Sequence, residues 1–170
     1  AKAEVLKGIE LTEFACSMPQ IINDEIQEVS KGVECRSSHE SIGIVASIAP
    51  FNFPIMVPMW TIPNALILGN CMIFKPSEQT PIGVSKIAEL LKLSGLPEGI
   101  FQFLHLDHQS TSKIISDERI DHVLFTGSVS GGRQVKKAIG ERFINAGLEL
   151  GGIDPAYVRK DCNLEHAIEN

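Results

Sequence analysis

A stretch without a single formally charged side chain, Ser41–Phe74, constrains the fold of this chain more than any other feature. It is long enough to cross a bilayer. It also contains Pro50, Pro54, Pro58 and Pro63, together with Asn52, Asn64 and Asn70. Each proline removes a backbone donor, and each amide needs a hydrogen-bond partner that lipid does not supply. The stretch therefore reads as the buried centre of a globular domain and not as a membrane span.

From Ile42 onward, short β-rich runs alternate with longer segments of helical spacing. The runs are Ile42–Ala49, Cys71–Lys75, Ile100–His105, His122–Thr126 and Ile144–Leu150. The clearest helix runs from Thr80 to Ser94. Thr80 is its candidate cap, Pro81 suits its first turn, Val84, Ile87, Ala88 and Leu91 share a face, and Gly95 and Pro97 end it. A second helix is predicted from Ser128, with Val135, Ala138 and Ile139 on one stripe. A third, Pro58–Leu68, is apolar nearly all round, so it expects burial on most sides. Near-continuous apolar strands alternating with helices predict a doubly wound, Rossmann-like parallel sheet of the α/β class, covered on both faces.

Residues 1–40 read separately, as a helix through Val5–Ala15 followed by an extended hairpin arm within Glu25–His39. Residues 41–170 read as a dinucleotide-binding domain, with a further helix beginning near Asn163. A sheet that starts and stops in mid-pattern suggests a fragment.

The chain has 15 Lys and Arg against 21 Asp and Glu, a net charge of −6, with no basic cluster, so a nucleic-acid partner is not expected. Its four cysteines are widely spaced and form no C-x-x-C pair. They suit neither a disulfide framework nor a zinc site, and with no signal segment in view the expected compartment is the cytoplasm.

Open parallel sheets bind ligands beyond the carboxyl ends of their strands. In this sequence those positions hold Pro50–Pro54, Lys75–Glu78, Thr126–Gly132 and Glu149–Gly152. The Gly127–Gly132 loop is either a plain glycine turn with a capped helix or an anion site at a helix N-terminus. Lys75 and Glu78 are either a surface pair or a ribose-binding pair, and a carboxylate there would disfavour a 2′-phosphate. Asn52 is a structural turn residue or an oxyanion donor. Glu149 is a strand-end charge, or an enclosed carboxylate that serves as general base.

Taken together, Pro50–Pro54, Lys75-Pro76-Ser77-Glu78, Phe125–Gly132 and Leu148–Gly152, with the Leu96–Gly99 turn, resemble the motifs of the aldehyde dehydrogenase superfamily in its hydrolytic, NAD(P)-linked branch. The resemblance covers residues 34–160 most closely. It implies that Asn52 is the oxyanion donor and Glu149 the base that activates the hydrolytic water. Lys75 and Glu78 become adenosine-ribose contacts, and Gly127 and Ser128 pyrophosphate contacts. Ile48, Ala49, Pro50, Phe51, Ser77, Leu150 and Gly151 are further cofactor contacts. The implied cofactor is NAD, favoured over NADP by Glu78. The implied reaction oxidises a small aldehyde to a carboxylic acid through a cysteine thioester, with no metal, and the whole protein is expected to be a homo-oligomer bridged by the hairpin arm.

Some positions depart from the family pattern. The nucleophilic cysteine normally lies further beyond the L-E-L-G-G glutamate than this chain extends, and no cysteine here occupies that motif. The chain alone is therefore expected to be inactive. A non-catalytic nucleotide-binding remnant of the same fold is the alternative. Ile153 stands where lysine is common, and His105-Leu106 where a glycine usually follows, which narrows the expected adenine pocket. The stretch around Pro50–Trp60 resembles semialdehyde oxidisers, including the methylmalonate-semialdehyde group. Because that group commonly lacks L-E-L-G-G, Glu149 points instead to hydrolysis, with succinate-semialdehyde-like or broad aliphatic specificity.

Overall fold

The computed structural model describes residues 2–169. The elements run α1 (Lys2–Ile21), β1 (Glu25–Ser30), β2 (Val33–Ser37), β3 (Ile44–Ile48), α2 (Met56–Ile67), β4 (Cys71–Lys75), α3 (Pro81–Leu93), β5 (Phe101–Phe103), α4 (His108–Ile115), β6 (His122–Thr126), α5 (Val129–Ala138), β7 (Asn145–Glu149) and α6 (Leu164–Glu169). Five of the strands form one parallel sheet in the order β5-β4-β3-β6-β7, and β1 and β2 pair antiparallel as a separate hairpin. The sheet order is the doubly wound one. The chain leaves β3 outward to β4 and β5, then returns past β3 to β6 and β7.

Strand residues alternate between two cores, as the two-residue period of a pleated strand requires. Val45, Met72 and Phe74 face α2 and α3 and pack with Val57, Ile62, Val84 and Ile87. Ala46 and Val123 face the other side and pack with Ile115 of α4, Val135 of α5 and Ile139 at the end of α5. Crossovers leading outward thus lie on one face and those leading back lie on the other, the arrangement that right-handed crossovers impose.

At the entry to β3 the N–H groups are met by side chains, and the strand is shorter than the expected Ile42–Ala49. Asn70 Oδ1 accepts from the N–H groups of Ile42 (2.8 Å) and Gly43 (3.1 Å), and Asp121 accepts from Ile44 N (2.8 Å). The asparagine expected to need a partner is thus satisfied by the backbone it organises.

Helix α2 starts two residues before the expected Pro58 because α1 completes it. Glu4 Oε1 accepts from the N–H groups of Ile55 (2.7 Å) and Met56 (3.1 Å), placing a carboxylate at the positive end of the helix. Helix α1 also packs along α2, with Gly8 against Met59 and Ala15 buried. An apolar helix between the sheet and α1 is covered on most sides, although Trp60 and Ile67 remain exposed.

Two local readings need correction. Thr80 precedes α3 but makes no capping bond, and its hydroxyl is buried without a partner. Ser77 organises that turn, its Oγ accepting from Gln79 N (3.2 Å) and its carbonyl from Thr80 N (3.2 Å). Helix α4 is not among the helices that the sequence pattern singles out, because its sequence, HQSTSKII, is mostly polar and carries few apolar positions. Asp107 caps it by accepting from Ser110 N (2.7 Å).

Candidate functional site

The turning point of the sheet lies between β3 and β6, where the chain departs in opposite directions and leaves a crevice between the two departing loops. A cleft of about 640 Å³ opens there. Its walls come from four places. The end of β3 and the segment after it contribute Ile48, Ala49, Pro50 and Phe51, and the end of β4 with the turn after it contributes Lys75, Ser77 and Glu78. The end of β6 and the loop after it contribute Phe125, Thr126, Gly127 and Ser128. Helices α4 and α5 close the side with His108, Thr111 and Ile115 facing Gly131, Gln134 and Val135.

The cleft therefore collects Ile48, Ala49, Pro50, Phe51, Lys75, Ser77, Glu78, Gly127 and Ser128 from the sequence reading. Asn52, Glu149, Leu150 and Gly151 lie outside its lining. They still belong to the same rim. Asn52 follows β3 in the exposed loop between Phe51 and Phe53, and Glu149 ends β7, where its carbonyl accepts from Gly127 N (3.0 Å). The Asn52 amide is exposed and makes no side-chain hydrogen bond among the described residues, so the buried setting expected for it is not formed here. The Glu149 side chain is also exposed. The residues that the sequence reading missed come mainly from α4 and α5. The one signal that could have found α4 was Asp107, a capping residue standing ahead of the segment.

Lys75 is the last residue of β4, and its side chain is only 9% exposed. Its Nζ lies 3.0 Å from Glu78 Oε2, and Glu78 is the one acceptor it meets among the described residues. An ammonium has three donors, so two are left for a ligand in the cleft. A hydrogen bond from its own backbone N–H, then the Lys75 hydrogen bond and the Lys75 charge, hold the Glu78 carboxyl below its ordinary value of 4.5. Glu78 is therefore ionised at neutral pH.

The loop after β6 has tight internal packing. Ser128 caps α5, its Oγ accepting from Gly131 N (3.1 Å) and lying 2.9 Å from Ser130 Oγ. The glycines here serve space and not left-handed backbone. A Cβ on Gly127 or Gly131 would come within 2.7 or 2.6 Å of Phe125 Cζ, and one on Gly132 within 2.7 Å of Leu150 Cδ2. Of the two readings open for this loop, a glycine turn with a capped helix or an anion site, the glycine turn and cap are formed, and the atoms that crowd these positions are the chain's own.

The two positions that depart from the family pattern fall outside the main cleft. Leu106 lines a neighbouring cavity of about 320 Å³ with Pro76, Glu78 and His105, and Ile153 is fully exposed. All four cysteines are free, and none lines the cleft. Cys71 begins β4, at the opposite edge of the sheet. Among the described residues, no cluster of His, Cys, Asp and Glu could hold a metal ion, and no helix is long and apolar enough to cross a membrane.

A doubly wound sheet with a largely apolar cleft at its turning point, bordered by a glycine loop and a lysine–glutamate pair, places the chain in the class of α/β domains that bind ligands beyond their strand ends. Residues 1–170 match the aldehyde dehydrogenase family, and the chain belongs to that family. It is 37% identical, over its whole length, to a malonate-semialdehyde dehydrogenase from Listeria innocua, of which it covers 35%. Among solved structures, it is similar to a methylmalonate-semialdehyde dehydrogenase from Oceanimonas doudoroffii (TM-score 0.90, 33% identity, 98% of this chain and 34% of that one). It is also similar to an NAD+ complex of an aldehyde dehydrogenase from Bacillus cereus (TM-score 0.88, 30% identity, 98% of this chain and 34% of that one). The chain spans about a third of the length of these relatives.

Proposed function

We propose that the protein containing this chain is an NAD-dependent semialdehyde dehydrogenase, and that residues 41–170 form its dinucleotide-binding domain. The observation that carries this reading is the juxtaposition, around one cleft, of a buried lysine with free donors and its ionised glutamate partner, both from the end of β4, with a capped glycine loop from the end of β6. The cleft volume suits part of a dinucleotide. Lys75 donates to ribose hydroxyls and Glu78 accepts from them. Gly127 and Ser128 meet the pyrophosphate. An ionised Glu78 repels a 2′-phosphate, so NAD is preferred to NADP. Bound there, NAD supplies the hydride acceptor.

The attacking thiolate comes from outside residues 1–170, since none of Cys16, Cys35, Cys71 and Cys162 lines the cleft. Asn52 donates its amide N–H to the oxygen of the substrate carbonyl. Glu149 takes the proton of the water that cleaves the acyl-enzyme. Both side chains stand on the rim without hydrogen-bond partners among the described residues, and the rest of the protein encloses them.

A malonate-type semialdehyde is the proposed substrate, on the names of the relatives. It replaces the succinate-like expectation. The hairpin of β1 and β2 is exposed along its whole length and is proposed to join a second copy. Calorimetric titration of the full-length protein with NAD and NADP, followed by product analysis with malonate semialdehyde, tests the proposal. Tighter binding of NAD and release of a free acid without coenzyme A are expected. Preference for NADP would remove the role of Glu78, and strict dependence on coenzyme A would remove that of Glu149.

A further inference from the structure

Phe125 is the penultimate residue of β6, and its side chain lies on the face that packs against α4 and α5. Its ring forms part of the cleft wall, and the tip of the ring occupies the space between two glycines of the following loop. A Cβ on Gly127 would stand 2.7 Å from Phe125 Cζ, and one on Gly131 would stand 2.6 Å from the same atom. The Gly131 Cβ would also come within 3.3 Å of Ser128 Oγ, the atom that caps α5. Neither glycine has a positive φ, so what glycine supplies at both positions is room and not backbone conformation. The loop is wrapped over one aromatic tip, and the same packing sets the distance between the Gly127–Ser128 backbone and the cleft.

We infer that Phe125 is a positioning residue: its ring is the template that holds the Gly127–Gly131 loop and the Ser128 cap at the spacing the cofactor pyrophosphate requires. The inference rests on the cleft being a dinucleotide site. An aromatic ring is suited to this role because it is rigid, with two side-chain torsions, and fills a defined slot. A flexible aliphatic side chain would fill similar volume without fixing the loop.

The experiment is a titration of NAD into the full-length protein as wild type, Phe125→Leu, Gly131→Ala and the double variant, with thermal melting of each and steady-state kinetics in NAD. Phe125→Leu is expected to weaken NAD binding about fivefold, and Gly131→Ala about tenfold or more. Leucine lacks the Cζ that an alanine methyl at residue 131 would meet. The double variant should therefore bind within about threefold of Phe125→Leu alone, far better than the product of the two single effects. KM for NAD should rise in Phe125→Leu with kcat little changed. Multiplicative losses in the double variant would overturn the inference. So would a lowered melting temperature in Phe125→Leu with NAD affinity unchanged, since the ring would then be ordinary core. Failure of the wild type to bind NAD would overturn the reading of the cleft itself, and would be seen before any variant is made.

Discussion

The Lys75 ammonium and the Glu78 carboxylate lie 3.0 Å apart across one turn, the lysine side chain 9% exposed and the glutamate 62% exposed. The cation is held in the protein while its counter-ion faces outward, so the carboxylate can exchange water for a ligand hydroxyl without exposing the lysine.

Glu78→Gln is expected to weaken NAD binding about tenfold, the usual loss when a charged acceptor is removed from hydrogen bonds. Stability should drop by about 1 kcal/mol, the upper end for a pair with one exposed member. Calorimetry and urea denaturation of the same samples separate the two effects. Unchanged NAD affinity would take Glu78 out of the site.

Gly43→Ala should lower stability by about 2–3 kcal/mol. Gly43 has φ +125°, and a methyl there would overlap the Asp121 carboxylate that accepts from Ile44 N. Both the backbone and the anchor of β3 would suffer. A urea midpoint equal to that of the wild type would show that the β3 entry has slack.

Phe74→Ala should cost about 3–5 kcal/mol, as for other buried aromatic deletions. Phe74 is 0% exposed and packs among Val45, Ile62, Met72 and Val84. Total stabilities are commonly only about 5–15 kcal/mol, so this variant should populate unfolded chain at 37 °C by circular dichroism.

The pH dependence between 7.5 and 5.5 should trace to His122. Burial pushes its pKa below the ordinary 6.5, so the unfolded chain takes up the proton first as pH falls. Its contribution to stability is present above 6.5 and is lost as pH falls toward the lower folded value. Glu78 acts in a different range: with its pKa held below 4.5, its contribution is complete above that value and is lost only at more acid pH. Urea midpoints should therefore decline from pH 7.5 to 5.5, and less steeply in His122→Gln. Equal slopes would refute the assignment.

Much of the fold was legible in the chain. Cys71–Lys75 and His122–Thr126 coincide with β4 and β6, because fully buried parallel strands are short apolar runs bounded by turn residues. The start of α5 at Ser128 was equally plain, since a capping hydroxyl acts within its own turn. Helix α4 was not visible, because its stability rests on Asp107 and on two buried positions, Thr111 and Ile115, and not on a long apolar stripe.

The motifs Pro50–Pro54, Lys75–Glu78, Phe125–Gly132 and Leu148–Gly152 needed only the sequence, because residue type and local spacing are properties of the chain itself. What they do to one another did not. Glu4 reaches Ile55 N across 51 positions, Asp121 reaches Ile44 N across 77, and Phe125 claims the space that glycine leaves at residue 131. Those relationships depend on which surfaces meet once strands are paired and helices laid on them. Only the folded sheet decides that, because burial and excluded volume act between residues that are distant along the chain.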